Sequence, residues 1–77
     1  MDDFKRRVGR RIRSRRVARG LSQSALARML PEVESGQVSR WERGKSFPTI
    51  ENLVALAEVF EETPEELIST ELISAEG

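Results

Sequence analysis

The chain has 77 residues, 38% of them apolar and 34% charged, with no Cys, His or Tyr. Such a composition describes one domain with a modest core and excludes a disulfide framework, a thiolate zinc site and the commonest general base. Net charge is zero only by cancellation: residues 1–19 carry nine Lys/Arg against two Asp (+7), residues 20–50 four against three (+1), and residues 51–77 eight Glu and no base (−8).

The first predicted helix runs from about Asp3 to Arg19, with Phe4, Val8 and Ile12 at i, i+4 and i+8. Gly20 is placed to take the left-handed position that ends it. Ser22 is a good N-cap for a second helix, and its neighbours Leu21 and Leu26 are spaced as a hydrophobic staple. Leu21, Leu26, Ala27 and Leu30 share one face of that segment, and Pro31 stops it. The third helix is expected from about Ser35 to Arg43, with Val38 and Trp41 at i, i+3 and Gly44 as its close. A fourth opens at Thr49, just after Pro48, and is predicted to bury Ile50, Leu53, Val54, Ala57 and Phe60. Thr63-Pro64-Glu65-Glu66 then sets out an N-cap, proline at N1 and glutamate at N3, the strongest helix start in the chain. The fifth helix carries Leu67 and Ile68, while Leu72 and Ile73 either extend it or dock elsewhere. No internal repeat and no β-type alternation is present, and the short connections fit a compact all-α globule of five helices.

The segment Leu21 to Gly44 is the most informative. Two short helices with a break between them, the second offering polar side chains that no core needs, make a helix-turn-helix, whose usual partner is duplex DNA. With Val38 and Trp41 turned inward, residues 36, 40 and 43 project outward together. Ordinary solvated charge is the plainer alternative for Arg40 and Arg43. The same choice applies to the basic first third of the chain, which is either a face for phosphate or an unremarkable helix surface.

Leu21-Ser22-Gln23, Leu26-Ala27, Val38-Ser39-Arg40-Trp41-Glu42-Arg43-Gly44-Lys45 and Pro48 together resemble the lambda-repressor-like, Cro-type helix-turn-helix domains, often called the XRE family, over about residues 8–68. The resemblance implies a five-helix DNA-binding domain over residues 1–70, with a tail at 71–77. It implies a sequence-specific transcriptional regulator of repressor type, while the composition itself leads to the expectation of a cytoplasmic domain with no cofactor, metal or small-molecule effector. Carried over by position, base reading falls to Ser35, Gly36, Gln37 and Arg40. Arg40 is then the candidate for a two-pronged contact to guanine, and Gln37 for a pairing with adenine. Phosphate contacts fall to Ser22, Gln23, Ser39, Arg43, Lys45 and Ser46, with bracing of the first recognition-helix side chain as a further role for Gln23. Arg16 and Glu42 match a pair that pins the recognition helix to the scaffold. Family members usually bind pseudo-palindromes as two-fold homodimers, which makes Leu67, Ile68, Leu72 and Ile73 candidates for the interface. Closing the chain's own core is the alternative for Leu67 and Ile68.

Several positions depart from the family pattern. Leu30-Pro31-Glu32-Val33 is one residue longer than the usual turn and lacks its glycine, so a shifted start of the third helix is expected. Glu34 stands where Ser or Thr often caps, leaving Ser35 as an alternative cap. Gly36 weakens a helix by about 1 kcal/mol relative to alanine. Glu61 and Glu62 replace a usual glycine and apolar residue, which predicts a looser turn. Two further readings stay open: an antitoxin-type regulator whose acidic half binds a basic protein, and an adaptor that keeps the fold without binding DNA. An enzyme is the weakest, since no nucleophile–base pair is apparent.

Overall fold

In the computed structural model, residues 3–69 are described. They form α1 (Asp3–Ala18), α2 (Gln23–Arg28), α3 (Ser35–Glu42), α4 (Ile50–Phe60) and α5 (Pro64–Ile68), with no strand among the described residues. The helix α1 lies against α3 and α5, α2 against α3, and α4 against α5. None of these helices is long and apolar enough to cross a membrane.

Each boundary has a local cause. Ser22 Oγ accepts from Ala25 N–H at 2.9 Å, Thr49 Oγ1 from Asn52 N–H at 3.2 Å, and Thr63 Oγ1 from Glu66 N–H at 3.1 Å. The last is one half of a capping box, completed by Glu66 Oε1 accepting from Thr63 N–H at 2.8 Å. The C-terminal ends of α1, α3 and α4 close in the Schellman manner. Leu21 N–H reaches Arg16 O at 3.1 Å past Gly20, and Lys45 N–H reaches Arg40 O at 2.8 Å past Gly44. Both glycines sit at positive φ, 69° and 73°.

The third closure corrects the expectation of a loose turn after α4. Glu61 itself takes the left-handed conformation, φ 59°, while Glu62 N–H bonds to Ala57 O at 2.9 Å. Glu62 also holds Arg15, with Nε–Oε2 at 2.6 Å and Nη2–Oε1 at 3.2 Å. A left-handed side chain costs roughly 1 kcal/mol that glycine avoids. Glu61→Gly is therefore expected to raise the melting temperature by about 4–8 °C, read by thermal unfolding; no rise would show the strain to be relieved elsewhere.

The core gathers Val8 and Ile12 from α1, Leu26, Ala27 and Leu30 around α2, Val38 and Trp41 from α3, Leu53, Leu56 and Phe60 from α4, and Leu67 from α5. Two predicted core members of α4 are instead on the surface: Ile50 is 79% exposed and Val54 43%. Leu56 and Asn52 take the inward positions, because apolar residues cover more than one face of α4 and the phase that meets α5 wins.

The arginines of α1 divide by role. Arg11 Nη1 donates to the carbonyls of Glu66, Leu67 and Ser69 at 3.2, 2.9 and 2.7 Å, placing a cation on the C-terminus of α5. Burial first, then repulsion from Arg15, lowers the Arg11 pKa. Arg19 Nη2 donates to Phe60 O at 2.6 Å, with its guanidinium carbon 5.4 Å from the Phe60 ring centroid. With Arg15 and Arg16, that makes four guanidiniums bound into the fold rather than left free for an external anion. The basic first third is thus in large part a scaffold.

Candidate nucleic-acid interface

The helix α3 presents two unlike faces. Val38, Trp41 and Glu42 are buried, whereas Ser35, Gly36, Gln37, Arg40 and Arg43 are exposed and Ser39 is half-buried. Burial of the indole fixes the rotation of the helix, so the direction of Arg40 follows from Trp41. Gly36, Gln37 and Arg40 line an open groove of about 480 Å³ whose other wall is Ser46, Phe47, Thr49 and Asn52. Lys45 is exposed and Ser46 half-buried in the loop that follows.

Residues behind α3 hold it in place. Arg16 and Glu42 form a two-pronged ion pair, Nε–Oε2 at 2.6 Å and Nη2–Oε1 at 3.0 Å, and Arg16 Nη1 also donates to Leu21 O at 2.8 Å. The Glu42 side chain is only 3% exposed. The hydrogen bond to Glu42 is the main reason that the Arg16 pKa is raised. Gln23 Nε2 donates to the same carboxylate, Oε1, at 3.0 Å. This amide, which the resemblance assigns to a phosphate, is therefore engaged in bracing the end of α3. Ser22 is exposed, with its Oγ occupied as the cap of α2.

The longer turn before α3 is accommodated without glycine. Glu32 adopts φ 53°, supplying the left-handed residue, and half-buried Val33 packs against the core beside it. Glu34, not Ser35, is the N-cap, so α3 is not shortened. Gln37 Oε1 accepts from Glu34 N–H at 3.1 Å, which fixes one end of the Gln37 amide at the helix start. A Cβ built on Gly36 would meet nothing within 4 Å. Gly36→Ala is expected to stabilise the protein by about 1 kcal/mol through helix propensity alone, measured as a higher denaturation midpoint.

The candidate interface residues at the chain's end fare differently. Leu67 is 0% exposed and closes the core of its own chain, which removes it from any interface; the apolar neighbour that remains, Ile68, is half-buried. Leu72 and Ile73 lie outside the described residues.

Three features of this region escape a reading of the sequence. Gly9 permits α1 to touch α3: a Cβ there would stand 2.1 Å from Trp41 O. Phe4 and Phe47 stack with centroids 5.4 Å apart, tying the start of α1 to the loop after α3. Asn52 is buried on the groove wall, with an Oδ1 that has no hydrogen-bond partner among the described residues. The only sequence signal for any of these is a glycine inside an otherwise helical run.

A helix-turn-helix sequence profile matches residues 12–67. The chain belongs to the helix-turn-helix family. It is 37% identical over 65 residues to the repressor protein C2 of Salmonella phage P22, covering 84% of this chain and 30% of that protein. The crystal structure of P22 c2 repressor with a synthetic operator superposes with a TM-score of 0.77 at 36% identity, covering 83% of this chain and 96% of that one. The transcriptional regulator DicA of Escherichia coli (strain K12) is 44% identical over 57 residues, 74% of this chain and 42% of DicA. The transcriptional activator BcrR of Enterococcus faecalis is 34% identical over 61 residues, 79% of this chain and 29% of BcrR. The chain thus spans less than half the length of each of these relatives. The lambda-repressor-like group indicated by the Val38 to Lys45 segment is the group to which the fold belongs.

Proposed function

We propose that this chain is a sequence-specific, double-stranded DNA-binding transcriptional regulator that lays α3 in the major groove. The observation that carries the reading is the exposed face of Gly36, Gln37 and Arg40 on a helix whose back is pinned by Arg16, Glu42 and Gln23. A base-reading side chain is selective only if its helix cannot rock, and the ion pair supplies that rigidity. Membership of a family whose P22 relative was solved with an operator supports it.

In this reading Arg40 offers its two-pronged guanidinium to a guanine edge. Ser35 and the free part of the Gln37 amide read neighbouring positions, and Gly36 lets the backbone approach closely. Arg43, Lys45, Ser46 and Ser39 contact phosphates, joined by Ser22 and the backbone of Gln23 at the start of α2. The working unit is a homodimer on a pseudo-palindromic site, with half-sites about 10 bp apart. Ile68, with Leu72 and Ile73 beyond the described residues, is what is left for the interface. Repression follows where the site overlaps a promoter, as the likeness to the C2 repressor favours, whereas BcrR is an activator.

Selection of bound duplexes from a random pool would return the site. On that site, Arg40→Ala is expected to cost about 1–3 kcal/mol and relax selectivity at one base pair. Lys45→Ala should instead weaken all duplexes alike and reduce the salt slope by about one. Retention of full selectivity by Arg40→Ala, or no duplex binding at low salt, would overturn the reading.

A further inference from the structure

Two helix faces have no covering partner among the described residues and match each other. On α1, Arg10 and Arg13 are exposed and make no ion pair among the described residues, and beside them Val17 is 54% exposed over a shallow depression. On α4, Ile50 and Val54 are exposed at i, i+4, and Glu58 follows at i+8 without an ion pair among the described residues. One stripe is basic then apolar along the chain; the other is apolar then acidic.

We infer that the α1 stripe of one copy docks antiparallel on the α4 stripe of a second copy, forming a head-to-tail contact. Antiparallel, the seven residue steps from Arg10 to Val17 span about 10 Å and the eight steps from Ile50 to Glu58 about 12 Å, so both ends register together. Arg10 then meets Glu58 while Val17 reaches Val54 and Ile50, with Arg13 reinforcing the charged end. In the parallel sense each charge faces an apolar group, so charge complementarity selects one orientation. The occupant is a second copy because the two stripes lie on different helices of one chain, each turned outward. A nucleic acid would answer the arginines but leave the α4 stripe unmatched.

A contact of different patches links copies head to tail, in an open row unless the rotation between copies closes a ring. One helix face against another buries less than a stable interface needs, so the association is weak and electrostatically tuned. It is a property of the protein alone and does not depend on DNA.

The test is sedimentation velocity of the full chain over a range of concentrations at low and high salt. Average mass should rise with concentration at low salt, and association should weaken roughly tenfold at high salt. Arg10→Glu and Glu58→Arg should each lose association about tenfold or more on their own. An equimolar mixture of the two should regain it, since one supplies the intact α4 stripe and the other the intact α1 stripe. Ile50→Ser should lose it without any change in charge. All three positions are exposed, and unchanged thermal unfolding would show the fold intact. Constant mass for the parent chain at low salt, or a mixture no better than its components, would overturn the inference. So would an Arg10→Glu variant that only weakens duplex binding while its self-association is unchanged.

Discussion

Gly9→Ala is expected to cost about 3 kcal/mol or more, although alanine is the better helix former by about 1 kcal/mol. The reason is contact with backbone, which cannot rotate away: the new methyl would stand 2.1 Å from Trp41 O and 3.0 Å from Glu42 O. To accommodate it, α1 must back away from α3, and that motion pulls on the Arg16–Glu42 pair and opens the core under Trp41. A chain of this size has a total stability of roughly 4–12 kcal/mol, so the variant should lose about a quarter to three-quarters of it. Denaturant unfolding of Gly9→Ala beside Gly36→Ala gives an internal contrast, since the same substitution at two helical glycines should move the midpoint in opposite directions. A Gly9→Ala midpoint at or above that of the parent would show that the two helices separate at little cost.

Arg16→Ala is the second large effect. It leaves Glu42 buried with the Gln23 amide as its remaining side-chain partner, and it also orphans Leu21 O. Removing one partner from a buried pair costs roughly 3–5 kcal/mol, whereas the exposed Arg13→Ala should stay within about 0.5 kcal/mol of the parent. Arg16→Lys should recover only part of the loss, because an ammonium cannot present the paired N–H groups of the guanidinium. Equal midpoints for the Arg16 and Arg13 variants would defeat the assignment. The Arg16 pKa is raised, first through its hydrogen bond to Glu42, so the stabilisation from its charge is fully present below the unfolded-state value. It is lost only in strong alkali, as pH rises through the folded value. Because the pair holds the C-terminal end of α3, a loosened variant that still folds should also bind its DNA site less tightly.

The paired effects explain why α1 is so rich in arginine. Charge counting alone treats the +7 of residues 1–19 as a face for an anion. In the folded chain Arg11, Arg15, Arg16 and Arg19 each reach a carboxylate or carbonyl on another element. The acidic second half is the complement of this scaffold, most plainly where Glu62 takes Arg15. The exposed remainder, Arg10 and Arg13 among it, is what stays available for anything outside the chain.

Local chemistry along the chain suffices for the features that depend on a few neighbouring residues. Ser22, Thr49 and Thr63 cap helices, Gly20 and Gly44 end them, and Val38 with Trp41 set the inward side of α3, because caps and periodicity act within one or two turns. That was enough to place five helices and the outward direction of Arg40. The tertiary structure alone decided what depends on the meeting of distant segments. It chose Leu56 over Ile50 and Val54 for the core, turned Leu67 inward, and drew Gln23 onto Glu42. It also demanded a bare Cα at Gly9. These choices were illegible in the chain because several faces of α4 are apolar and any arginine can point either way. Only the distance and angle at which α1 and α5 arrive settle which contacts form.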